Sequence, residues 1–244
     1  MKYYWLTGMV LLSQTVHAQN SDSLLLQRAQ FNLSKSEVKI SKLPNKPAYL
    51  RVKYISFPIG MVAYGFVSLE MDALQNANKE VREEILEHND RFHTNIDNYL
   101  QFAPAASVYL LNASGIKGKH NFKDRTILLG MSTLLMAGTV FSLKKITHQL
   151  RPDGSAYNSF PSGHTAAAFS GAEFMAQEYR GHSPFLRFSG YAMSTGTGVL
   201  RMYNNKHWLT DVITGAGIGI LSTKASYWLF EKMKKKNSRA VSAL

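Results

Sequence analysis

Long apolar stretches separated by short polar ones run along most of the chain, and their lengths predict helices. Six stretches, roughly 55–71, 99–114, 126–143, 163–179, 186–202 and 208–230, are apolar over helical distances. The cleanest, Thr126 to Leu143, holds Leu, Met, Ile and small residues and meets no charge before Lys144. Its length just reaches across a hydrocarbon core. The others carry residues that are expensive in lipid unless buried in a bundle or set near an interface: Glu70, Glu173, Arg201 and Lys224. The pattern predicts an all-α bundle of about six core helices over residues 55–230, five or six of them membrane-spanning.

Ahead of the bundle, Lys2 is followed by an apolar stretch from Leu6 to Val16 and then by Val16-His17-Ala18 before Gln19. This is the layout of a signal peptide over residues 1–18, cleaved after Ala18. Gly8, Ser13 and Gln14 interrupt it too early for a span. Residues 19–54 read as a polar exported lead-in, with Ser21 or Asp22 able to cap a short helix. Residues 231–244 read as a basic tail, where Lys232, Lys234, Lys235, Lys236 and Arg239 follow the run Tyr227, Trp228, Leu229, Phe230.

A tail of this kind marks a cytoplasmic helix end, and Lys117, Lys119, Lys123, Arg125, Arg180 and Arg187 favour the same side. Loops 144–161 and 203–207 then face outward, toward a periplasm-like space. A cleaved leader followed by six spans would put those loops inside instead. The conflict disappears if residues 55–71 pack on the bundle without crossing, which gives five spans and is the preferred reading. It also disappears if the whole bundle is a soluble exported domain, an alternative that the mean hydropathy of −0.16 keeps open.

The length of 244 residues suits one domain. The chain has no cysteine, which excludes disulfides, thiolate zinc sites, iron–sulfur clusters and cysteine nucleophiles. With 28 Lys and Arg against 16 Asp and Glu, the formal charge of +12 suits an anionic membrane surface or an anionic substrate. Nucleic acid is disfavoured, since basic and aromatic residues do not interleave as in single-strand binders. The mixed-charge segment Leu74 to Asp97 reads either as an outer lid or as a solvated amphipathic helix.

Three constellations carry chemistry. In the first, Lys144 and Arg151 lie seven residues apart, two helical turns, so one helix face presents both cations before Pro152 stops it. In the second, Phe160-Pro161-Ser162-Gly163-His164, Ser162 is suited to cap a helix and Gly163 to close backbone approach. The first-turn amides can then hold an anion beside His164. In the third, Arg201 precedes His207 and Asp211, four apart, so that on a helix the carboxylate can orient the imidazole.

Taken in order, Lys x6 Arg-Pro, Pro-Ser-Gly-His and Arg x5 His x3 Asp resemble the signature of the phosphatidic acid phosphatase type 2 and haloperoxidase superfamily over about residues 144–211. One position departs: Leu200 stands where the family usually has Ser, which removes one phosphate-contacting hydroxyl. The resemblance implies a phosphatase working through a phosphohistidine. His207 would be the nucleophile, Asp211 its partner and His164 the proton donor. Lys144, Arg151, Ser162, Gly163 and Arg201 would bind phosphate. It implies no metal or other cofactor. The substrate would be a lipid phosphate or diphosphate such as phosphatidic acid, a lipid A phosphate or a polyprenyl diphosphate, and no obligate protein partner is inferred. A soluble exported acid phosphatase is the alternative, and a non-catalytic membrane protein a weaker one.

Overall fold

In the computed structural model of the protein, residues 52–89 and 92–241 are described. The predicted signal peptide, its cleavage point and most of the polar lead-in lie outside them. The described residues form eight helices and no strand. These are α1 (Val52–Glu70), α2 (Asp72–Asn89), α3 (Ile96–Leu100), α4 (Ala103–Ala113), α5 (Phe122–Thr147), α6 (Gly163–Glu178), α7 (Pro184–Tyr203) and α8 (Leu209–Val241).

Helix α6 is the centre of the bundle. Every residue from Ser170 to Glu178 is buried, and the helix packs on α7 and α8, while α8 also packs on α1 and α5. Small side chains allow this. A Cβ added at Gly215 would lie 2.5 Å from the carbonyl oxygen of Ser162, so α8 approaches the start of α6 almost backbone to backbone. Farther along, Val108, Leu128, Phe174, Met175 and Phe230 fill the core.

Of the four residues that looked awkward within apolar stretches, Glu173, Lys224 and Arg201 are paired, while Glu70 is exposed at the end of α1. Lys224 of α8 donates to Glu173 of α6 at 2.6 Å, and Gln177 donates to the same oxygen at 2.5 Å. Glu178 accepts the Tyr227 hydroxyl at 2.7 Å and lies 2.6 Å from His120 Nδ1 and 3.4 Å from Arg125 Nε. Pairing and hydrogen bonding are what make such groups tolerable away from water.

Several expectations change. The stretch 99–114 is two short helices, α3 and α4, with Pro104 in the first turn of the second. Eleven residues of α4 rise about 16 Å, half of what a span needs. Among the described residues only α5 is long and apolar enough to cross a membrane by itself. The pair α1 and α2 passes together but bends by 98° at its break. The expected five or six spans are therefore not reproduced by length and composition. Helix α8 continues through Glu231 and Lys232 to Val241, so the basic residues extend a helix whose C-terminal dipole favours them.

Candidate active site

Helix α5 begins on Asn121, whose side chain accepts from Asp124 N, and stops at His148, which adopts the left-handed conformation at φ 46°. This corrects one expectation: the helix ends before Arg151, so Lys144 and Arg151 do not share a helical face. Arg151 instead lies in the following loop, where its amide donates to Ala156 O at 3.0 Å. That loop folds back on the helix end. Lys144 Nζ donates to Asn158 O and, at 3.2 Å, to Ser159 O, and Ser159 N donates to Gln149 O at 2.9 Å.

The second block opens α6. Ser162 is its N-cap and accepts from Thr165 N, while its hydroxyl pairs with that of Thr165 at 2.8 Å. The Ser162 side chain is thus engaged in the cap and fully buried. Gly163 and His164 are the first two helical residues, where amides have no partner within the helix. His164 Nε2 lies 2.8 Å from Asn98 Oδ1.

The third block differs from the expected geometry. His207 and Asp211 are not on one helix: His207 is in the loop before α8, and Asp211 is in its first turn. Asp211 Oδ2 accepts the Ser159 hydroxyl at 2.5 Å and Trp208 N at 2.9 Å. His207 Nδ1 lies 3.4 Å from the same oxygen, out of line for a hydrogen bond, and this buried atom has no other partner. The contact leaves Nε2 as the ring nitrogen turned away from the carboxylate.

Blocks two and three are locked together, since Ser162 N donates to Asp211 O at 3.0 Å. Blocks one and three are joined by Trp208 Nε1 donating to Leu150 O at 3.0 Å. The ends of α5 and α7 and the starts of α6 and α8 thereby bring Lys144, Arg151, Ser162, Gly163, His164, Arg201, His207 and Asp211 to one end of the bundle.

Two further residues belong to this end and had no signal in the sequence pattern. Asp97 is buried and accepts from Arg201 Nη1 at 2.6 Å, and Ser159 holds Asp211 as described. The buried nitrogens Arg151 Nε and Arg201 Nε have no acceptor within the protein. Guanidinium groups with open donors at one point are suited to a phosphate. Burial, with Arg201 beside it, lowers the Arg151 guanidinium below its ordinary value, and it stays charged. Burial pushes His207 down to about 4, with Lys144 and Arg201 acting in the same direction and Asp211 opposing. At neutral pH the imidazole is uncharged. Asp153, outside this cluster, is stabilised as a carboxylate at about 2, where hydrogen bonds from Lys206 and Ser155 outweigh its burial. Among the described residues, no three His, Asp or Glu side chains converge as a metal site would require.

Known proteins share this segment. Residues 125–235 match the family model of the PAP2 superfamily. Over 157 residues, 63% of this chain, the sequence is 39% identical to a lipid A 1-phosphatase of Porphyromonas gingivalis, and the chain spans about a third, 35%, of that relative's length. LpxE of Aquifex aeolicus is 26% identical, with 59% of this chain and 93% of that one covered at a TM-score of 0.45. A transmembrane PAP2-type phosphatidylglycerolphosphate phosphatase of Bacillus subtilis is 22% identical, with 74% and 96% covered at a TM-score of 0.47. Residues 125–235 thus carry the match to the PAP2 superfamily, and they hold all eight of the positions gathered at the bundle's end.

Proposed function

We propose that the protein is a metal-independent phosphatase acting on a phosphomonoester or diphosphate of a lipid, through a phosphohistidine at His207. The observation that carries this reading is the convergence of a neutral, buried histidine backed by a carboxylate with two guanidinium groups whose inner nitrogens lack acceptors. Phosphoryl transfer needs charge neutralisation and alignment more than covalent machinery. Lys144, Arg151 and Arg201 supply the charge, and the amides of Gly163 and His164 add donors at the positive end of α6.

In the first step His207 Nε2 attacks phosphorus, a P–N bond forms, and the bond to the leaving oxygen breaks as His164 gives that oxygen a proton. Burial and Arg201 hold His164 down to about 4 in the free protein, so it takes up that proton as the negatively charged substrate phosphate enters and opposes them. In the second, His164 takes a proton from water, whose oxygen attacks phosphorus; the P–N bond breaks and phosphate leaves. Asp211 faces His207 Nδ1 throughout and stabilises the charge that the ring acquires, as in carboxylate–histidine pairs elsewhere. The Ser162 hydroxyl supports the N-terminal turn, and Leu200 contributes no hydroxyl.

The 39% identity to a lipid A 1-phosphatase supports a lipid phosphate as substrate. The apolar α5, with Leu134 and Phe141 exposed on its outside, supports a membrane location with the site outward, as the basic loops at the other end suggest. That α5 alone qualifies by itself among the described residues equally supports a second reading, a mostly extramembrane exported phosphatase. Phosphate release from phosphatidic acid, a lipid A phosphate, a polyprenyl diphosphate and a soluble aryl phosphate, measured with chelator present, tests both. Preference for one lipid supports the first reading. Equal or faster release from the aryl ester, with extraction by salt alone, supports the second.

A further inference from the structure

Helix α3 joins the catalytic end to the outer surface. On its inner side Asp97, 1% exposed, holds Arg201, and the neighbouring Asn98 meets His164. The segment is also tied at its start, where Thr94 exchanges two hydrogen bonds of 2.9 Å with the Asn204 side chain. Its other side is apolar and uncovered: Ile96, Tyr99 and Phe102 are 61%, 77% and 60% exposed. Their spacing of three places them along one side of a helical turn. Nothing in a water-soluble setting favours three large apolar side chains on five residues of helix and its flank. They are suited to the boundary between headgroups and acyl chains, where amphipathic Tyr and apolar neighbours are stable.

We infer that Ile96, Tyr99 and Phe102 form a docking surface for the lipid bilayer interface, which seats the membrane's headgroup plane beside His164 and Arg201. The inference rests on the membrane reading above. It commits to lipid because the catalytic end is also the end of the apolar helix α5 that is long enough to span, whose last turn carries another large exposed apolar side chain, Ile146, 75% exposed. A residue in contact with the bilayer through Tyr99 is then one position from Asn98, which touches the proton-donating histidine. Substrate phosphate anchored in that plane would arrive without leaving it.

Because the chain has no cysteine, Tyr99→Cys gives the full-length protein a single site for a nitroxide label. The labelled protein is reconstituted in phosphatidylcholine–phosphatidylglycerol vesicles, with Glu83→Cys on α2 as the exposed control. Collision with oxygen should exceed collision with a water-soluble nickel chelate at position 99 and fall below it at position 83. Nickel-dominated collision at 99 in protein that floats with the vesicles overturns the docking surface and leaves the membrane reading standing. Protein that fails to float overturns both. In parallel, the variant Ile96→Ser, Tyr99→Ser, Phe102→Ser should lose about tenfold or more in rate on lipid phosphate in vesicles and about twofold or less on a soluble aryl phosphate. Equal losses on both substrates, or none on the lipid, contradict the inference.

Discussion

Ser159 gives its hydroxyl hydrogen to Asp211 Oδ2 at 2.5 Å, and this is the oxygen that faces His207 Nδ1. Ser159 is fully buried and sits two residues before Pro161, so the loop carrying the second block fixes the carboxylate of the third. Ser159→Ala should lower kcat by roughly tenfold to a hundredfold, the scale of one hydrogen bond to a charged group. Ser159→Thr should recover part of it. Steady-state kinetics of the three proteins on one substrate checks this; an unchanged rate in the alanine variant would contradict it.

In the proposed mechanism the depressed His207 sets the acid limit of activity. The nucleophile must be neutral, and burial holds its pKa at about 4, below the ordinary value of 6.5. Activity governed by this group should persist as pH falls below neutrality and be lost as it passes through about 4. Asp211 raises the His207 pKa, so Asp211→Asn should move the acid limb to lower pH while also reducing kcat. A profile of kcat/KM against pH for both proteins decides it, and a limb shifted upward would contradict the geometry.

Charge neutralisation by Lys144, Arg151 and Arg201 predicts that chelators leave turnover unchanged. Vanadate, which takes trigonal bipyramidal geometry, should compete with substrate. Arg201→Ala should weaken vanadate binding by about tenfold or more, the scale of a lost charge-assisted contact. Loss of activity with chelator would point to metal chemistry and contradict the assigned roles.

Far from the site, Glu178 is a stability test. Its carboxylate is fully buried among His120, Arg125 and Tyr227. Glu178→Ala strands the Arg125 guanidinium and should cost about 3–5 kcal/mol in unfolding. Activity per folded molecule should stay near normal. Denaturant midpoints in detergent measure the first and titrated activity the second.

Sequence pattern reached the parts of this molecule that are local. Helix α5 was visible because nothing polar interrupts Thr126 to Leu143, and Ser162 was visible as a cap because its role is settled within three residues. The end of α5 was not, because it depends on the left-handed His148, an uncommon conformation for a non-glycine residue. Asp97 and Ser159 gave no signal: they meet Arg201 and Asp211 across separations of 104 and 52 residues, set only by how the helices pack. The same packing turns Glu173 and Lys224 from apparent interruptions into partners.

The central claim is that phosphate passes through His207. Rapid quenching of the wild-type protein during turnover of radiolabelled lipid phosphate, with peptide mapping under alkaline conditions, tests it directly. The account predicts an acid-labile, base-stable phosphoryl group on the peptide carrying His207, and neither label nor turnover in His207→Ala. Turnover by the His207→Ala protein at the wild-type rate, or label residing on another residue, would contradict it.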